Sequence, residues 1–175
     1  MRLLKLHRAF AAMLLSLALL SACSTTQLAP QPEAPATIML VRHAEKAGDN
    51  GDVPLTPAGA QRAQELARVL GEAGIEAIYT SQYIRNIETA RPLAGKLNLT
   101  PTVIDADDVE GLVTRLRKTG AGSAALVVGH SDTLPIIAEK LGVRIKALEH
   151  TEYDRLVVVT FGDGYAEARM LRFGN

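Results

Sequence analysis

Two stretches decide the fold: Thr37-Ile38-Met39-Leu40-Val41-Arg42-His43 and Ala124-Ala125-Leu126-Val127-Val128-Gly129-His130. Each is a short apolar, β-branched run that stops abruptly at a histidine, which suits a strand buried on both faces. Between and around them lie helical patterns. Thr56 is placed to cap a helix that opens on Pro57, with Ala63, Leu66, Ala67 and Leu70 on one face and Gly71 and Gly74 past its end. Ile75 to Tyr79 reads as a strand. A second helix is expected from about Ser81 through Leu97, with Ile84, Ile87, Leu93, Ala94 and Leu97 buried and Pro92 kinking or splitting it.

Further on, Thr102 to Ile104 reads as a brief strand, Val109 to Lys118 as a helix and Leu134 to Leu141 as another. Leu156 to Phe161 and Ala166 to Leu171 flank Gly162-Asp163-Gly164, a hairpin signal. Strands alternating with helices imply an α/β fold: a three-layer α/β/α sandwich on a mainly parallel sheet with an antiparallel edge.

The chain before this pattern has a different character. Arg2, Lys5, His7 and Arg8 precede an apolar run from Ala9 to Leu20, and the small residues Ser21 and Ala22 follow. This predicts a secretion signal over residues 1–22, too short to span a bilayer comfortably. Leu20-Ser21-Ala22-Cys23 resembles the lipobox of bacterial lipoproteins, which implies lipidation of Cys23 after cleavage. Acyl chains hold a protein on a membrane at roughly 0.8 kcal/mol per buried CH₂. Residues 23–36, rich in Ser, Thr, Gln, Pro and Ala, read as the lipidated cysteine and a flexible tether to a single domain over 37–175. Because Ser24 follows the cysteine, the expected location is the outer membrane, facing the periplasm.

Composition narrows the partners. The chain of 175 residues has a formal net charge of zero, and with the basic N-terminus set aside its body is mildly acidic. No basic run offers a footprint for nucleic acid. With one cysteine, no intramolecular disulfide forms.

In an open α/β sheet, ligands bind beyond the carboxyl ends of the strands. His43 and His130 therefore belong at one edge, joined by Arg42 and by Arg85 in the first turn of a helix after another strand. The segments Val41-Arg42-His43-Ala44-Glu45-Lys46, Leu55-Thr56-Pro57-Ala58-Gly59, Tyr79-Thr80-Ser81 with Arg85 and Thr89-Ala90, and Val128-Gly129-His130-Ser131 resemble, in order, those of the histidine phosphatase superfamily. That group includes phosphoglycerate mutase. The resemblance implies a phosphoglycerate mutase-like fold, His43 as the nucleophile that takes the phosphoryl group, and Arg42, Arg85 and His130 as the phosphate pocket.

No cofactor and no metal are expected, because two guanidinium groups supply the positive charge. The resemblance also implies an acid, on a loop near the pocket and often after the third strand, that protonates the leaving group. Asp105, Asp107, Asp108 and Glu110 occupy that region. Asp107 is preferred there, with Asp105 and Asp132 as alternates. Glu45 and Lys46 are expected to orient the loop or the substrate, and His150 reads as an ordinary loop residue.

Only 45 positions separate Arg85 from His130, which leaves little room for the enclosing segments of a mutase. The expected activity is therefore hydrolysis of a phosphomonoester or phosphoramidate through a phosphohistidine. The substrate is a phosphorylated small molecule, a lipid or lipopolysaccharide headgroup, or a phosphoprotein. The alternatives are a non-catalytic phosphate-binding or scaffold lipoprotein, or a phosphomutase.

Overall fold

The computed structural model describes residues 34–174. The expected signal, Cys23 and most of the expected tether lie outside these residues. In chain order the elements are β1 (Ala36–Arg42), α1 (Pro57–Leu70), β2 (Ile75–Thr80), α2 (Ile84–Leu97), β3 (Thr102–Val103), α3 (Val109–Leu116), β4 (Ala124–Gly129), α4 (Thr133–Lys140), β5 (Arg155–Gly162) and β6 (Tyr165–Arg172).

The strands form one sheet in the order β3-β2-β4-β1-β5-β6. The first four run parallel, and β5 and β6 pair antiparallel at the edge. Asp163 and Gly164, with φ of 34° and 82°, close the β5–β6 hairpin in two residues. Two successive positive φ values give the turn a twist that matches its strands, which is why Asp-Gly is the signal there.

Alternation along the strands builds the layers. In β1, Ile38 and Leu40 face one side, and in β4 so do Ala125 and Val127, where Leu112 and Leu116 of α3 and Leu134 and Ile137 of α4 cover them. Met39, Val41, Leu126 and Val128 face the other side, under Leu66 and Leu70 of α1 and Ala90 and Leu93 of α2. Both faces of β4 are thus dry, which explains its unbroken apolar run. Each Leu or Ile so buried contributes roughly 1.5–3 kcal/mol. The expected three-layer sandwich with an antiparallel edge is the observed one.

Several boundaries differ from the sequence expectation. Ala36, assigned to the tether, opens β1 opposite Phe161, and the carbonyl of Ala34 accepts from Gly122 N at 2.9 Å. Such backbone pairing leaves no mark in side-chain patterning. Helix α2 starts at Ile84, not Ser81, because its cap comes from far away: the Asp52 carboxylate accepts from Ile84 N at 2.8 Å. Pro92 does not split α2. Its missing N–H and ring cost about 3 kcal/mol in a helix interior, which the burial of Ala90, Leu93 and Ala94 offsets.

The buried face of α2 is also rotated from the expected one. It presents Asn86 and Thr89 inward, while Ile84 is exposed. The polar pair is buried because both side chains bond to the ends of β1 and β4, as described next.

Candidate active site

Neighbouring parallel strands β1 and β4 end in register, with Arg42 opposite Gly129 and His43 N donating to Gly129 O at 3.0 Å. Their histidines therefore emerge side by side, with ring centroids 5.5 Å apart and planes inclined by 63°. The buried face of α2 fixes these strand ends. Asn86 Nδ2 donates to the carbonyls of Val128 (2.9 Å) and Gly129 (3.1 Å). Thr89 Oγ1 accepts from Ala44 N at 2.9 Å and donates to Arg85 O at 2.7 Å. Both residues are fully buried, so each satisfied group avoids a penalty of about 1–3 kcal/mol.

His43 is 3% exposed. Its Nδ1 lies 2.8 Å from the carbonyl oxygen of Ala44. A carbonyl only accepts, so Nδ1 carries the proton and Nε2 keeps its lone pair. Burial is the main cause that lowers the His43 pKa to about 4, and Arg42, Arg85 and His130 add to it, while the Ala44 carbonyl opposes them. The imidazole is therefore neutral near pH 7.

His130 is likewise held at about 4, first by burial and then by Arg85 and Arg42, with Asp132 opposing. Its Nε2 lies 3.0 Å from Ser81 Oγ, a hydroxyl able to give or take a hydrogen bond there. Its backbone N donates to Thr133 Oγ1 at 3.2 Å.

Both arginines are brought to this edge. Arg42 is 5% exposed, and burial lowers its pKa. Its Nη1 donates to the carbonyls of His150 (2.7 Å) and Glu149 (3.3 Å). The turn that presents these carbonyls is braced by Glu152, which accepts from Glu149 N at 3.0 Å and pairs with the buried Arg155. Arg85 has a side chain 13% exposed, with Nη1 3.9 Å from Asp52. Each guanidinium lies over a tyrosine: Arg42 over Tyr153 and Arg85 over Tyr83, both with Cζ 4.2 Å from the ring centroid. Among the described residues, the buried Nε of both arginines lacks a hydrogen-bond partner. Two neighbouring cations with unused donors, beside two neutral imidazoles, make a site suited to an oxyanion.

The remaining expected residues lie in the loops around this edge. The Glu45 carboxylate takes a forked pair of bonds from Arg62 on α1, at 2.7 Å from Nη2 and 2.9 Å from Nε. Helix α1 can approach this loop because Gly59 has no Cβ, which would lie 2.3 Å from Glu45 O. Glu45 thus orients the loop after His43. Lys46 Nζ donates to Asp49 O at 2.9 Å, within its own loop.

Asp107 is exposed, and its backbone N donates to Asp105 Oδ1 at 2.9 Å. Asp105 also accepts from Gln82 at 3.4 Å, and Asp108 caps α3 through Gly111 N at 2.8 Å. Asp132, at the start of α4, is the carboxylate whose charge acts on both Arg42 and His130. Ser81, Tyr83, Asn86, Asp52 and Tyr153 are site residues that sequence reasoning did not single out. Ser81 and Tyr83 offered a signal, since they lie between a strand end and Arg85.

The paired imidazoles set a pH dependence of stability. Both folded values lie near 4 against an ordinary 6.5. Between those limits the unfolded chain binds protons that the folded chain does not, so stability is full above about pH 6.5 and falls toward pH 4. Urea unfolding is expected to show a lower midpoint at about pH 5 than at about pH 7.5. Replacing both histidines with glutamine is expected to shrink that difference. Equal midpoints for the unmodified chain at the two pH values would contradict the neutral-imidazole assignment.

The model of the histidine phosphatase superfamily (branch 1) matches residues 38–110. The match takes in Arg42, His43 and Arg85 and ends before His130. No curated protein matches the chain in sequence. Among solved structures, the chain is similar to the protein histidine phosphatase SixA complexed with tungstate (TM-score 0.60, 21% identity, covering 78% of this chain and 96% of that one). It is similar to the alpha-ribazole phosphatase of Shigella flexneri (TM-score 0.61, 16% identity, 78% and 96% covered). The mycobacterial glucosyl-3-phosphoglycerate phosphatase is another (TM-score 0.63, 14% identity, 78% and 97% covered). At these identities the structures establish a shared fold. Over residues 38–110 the chain matches the histidine phosphatase superfamily, branch 1, and it has the fold of the solved phosphatases named above.

Proposed function

We propose that the chain is a phosphatase that hydrolyses a phosphomonoester or phosphoramidate through a phosphohistidine on His43. The observation that carries this reading is the state of His43: buried, neutral, and bonded through Nδ1 so that Nε2 is free to attack. Attack of Nε2 on phosphorus forms the N–P bond as the bond to the leaving group breaks. Water then hydrolyses the phosphohistidine and releases inorganic phosphate. Arg42 and Arg85 neutralise the three phosphoryl oxygens with charge-assisted bonds, a role that a metal would otherwise fill, and His130 adds a donor where charge develops.

Among the similar structures, one is a protein histidine phosphatase and another an alpha-ribazole phosphatase, which supports testing both kinds of substrate. The test is phosphate release by a soluble chain beginning at Ser24, assayed over phosphorylated metabolites and a phosphohistidine peptide. Binding of phosphate with no turnover of any of them would favour the non-catalytic alternative.

For the proton donor, Asp132 stands at the N-cap of α4 two residues past His130, near enough to act electrostatically on both Arg42 and His130, and this proximity favours it over Asp107 and Asp105. General acid catalysis contributes about 10²–10⁴-fold when the leaving oxygen is strongly basic. Asp132→Asn is therefore expected to slow an alkyl phosphate by something in that range and to spare a nitrophenyl phosphate, whose phenolate leaves unaided. Asp107→Asn is expected to change neither. The reverse pattern would return the role to the loop after β3.

We further propose that Cys23 carries lipid and anchors the domain at the outer membrane, facing the periplasm. Fractionation is expected to find the wild type with membranes and Cys23→Ser as an uncleaved precursor. A soluble wild type cut elsewhere would overturn the anchor.

A further inference from the structure

We propose that Tyr83 and Tyr153 are positioning residues, each of which fixes one of the two phosphate-binding guanidinium groups against its histidine. The proposal rests on the phosphate-pocket reading given above and deepens it. Four rings stand in a row. Tyr153 lies 6.0 Å from His43, His43 lies 5.5 Å from His130, and His130 lies 5.4 Å from Tyr83, centroid to centroid. At each end the outer ring carries a guanidinium over its face at 4.2 Å.

The two ends need this support unequally. Arg42 is also tied by Nη1 to the carbonyls of His150 and Glu149. Arg85 has no such carbonyls among the described residues, and its one ionic neighbour is the exposed Asp52 at 3.9 Å. A long arginine side chain with so few bonds loses much conformational freedom when it is held still. The negative face of an aromatic ring offsets that loss by attracting the cation. Tyr83 is free for this task, because at the N-cap of α2 its side chain makes no capping bond, and Asp52 caps the helix instead. The ring also meets His130 nearly at right angles, 88°, so one side chain sets the spacing of both polar groups.

Two expectations follow from the geometry. Tyr83 matters more than Tyr153, and at both positions the ring matters more than the hydroxyl, since Tyr153 Oη lies at 3.5 Å from Arg42 Nη2, the outer limit of a hydrogen bond.

The experiment measures the dissociation constants of inorganic phosphate and vanadate by calorimetry, with KM and kcat for an aryl phosphate alongside. Tyr83→Phe and Tyr153→Phe are expected to stay within about twofold of the wild type. Tyr83→Leu is expected to weaken both anions about tenfold and Tyr153→Leu about threefold, the range of a partly buried cation–π contact. The Nε–H resonance of Arg85, shifted by the ring current in the wild type and in Tyr83→Phe, is expected to move back in Tyr83→Leu.

Pentafluorophenylalanine at position 83 keeps the size of Phe and inverts the charge of its face, so it separates attraction from mere filling of space even if Tyr83→Leu does not fold. It is expected to weaken anion binding as Leu does. Binding as tight as that of Tyr83→Phe would overturn the role of the ring while leaving the phosphate pocket standing. A wild type that binds neither phosphate nor vanadate would remove the pocket and this proposal together.

Discussion

His43→Ala is expected to lose phosphatase activity by about 10⁴-fold or more, as when the nucleophile of a hydrolase is deleted, while the domain stays folded. At 1.36 kcal/mol per tenfold, that is at least about 5 kcal/mol of barrier. The size follows from the role. Without Nε2 no covalent intermediate forms, and water must attack phosphorus directly. The fold should survive, since the strand ends are held by backbone bonds and by Asn86 and Thr89, none of which involves the imidazole. The measurement is kcat/KM on an aryl phosphate, with circular dichroism and an unfolding midpoint as the control for structure. Activity within tenfold of the wild type would mean that some other group attacks phosphorus.

The second large effect is expected from Arg85→Ala, a loss of roughly 10²–10³-fold, or about 3–4 kcal/mol, as for removal of one preorganised donor from an oxyanion site. Unlike loss of the proton donor, it should strike alkyl and aryl phosphates equally, because the phosphoryl group that Arg85 is proposed to hold is common to both. Arg85→Lys should recover little, since an ammonium lacks the planar fork that grips two oxygens. A loss confined to one class of leaving group would place Arg85 beside the leaving group instead.

Much of this site was legible in the sequence because the fold puts chemistry at strand ends. Arg42, His43 and His130 each follow an apolar run whose only plausible state is a buried strand, and two such strands side by side bring their ends together without further information. Arg85 was legible through its position in the first turn after β2. What escaped were the partners that hold these groups. Tyr153 lies 111 positions from Arg42 along the chain, in a turn without periodicity. His150 contributes its carbonyl to Arg42, not its side chain, and no residue pattern encodes that.

The buried face of α2 is hidden from the sequence for a related reason: apolarity alone does not mark burial there, since Asn86 and Thr89 are buried to pair backbone groups at two strand ends. The cap of α2 leaves no local signal because its acceptor, the Asp52 carboxylate, sits 32 positions upstream of Ile84. The acid is hard to select from sequence because Asp105, Asp107 and Asp108 share one loop and Asp132 stands in another, and no residue pattern encodes their distances from Arg42 and His130.

Ser81 is the group that most needs discriminating from His43, since its hydroxyl lies 3.0 Å from the neutral His130 in an arrangement that also suits an activated serine. Rapid-quench labelling with a ³²P-phosphorylated substrate separates the two directly. A phosphohistidine is expected: an adduct stable in base, lost in acid, mapped to the peptide holding His43 and missing from His43→Ala. An acid-stable adduct on Ser81, or one on an aspartate, would contradict His43 as the nucleophile.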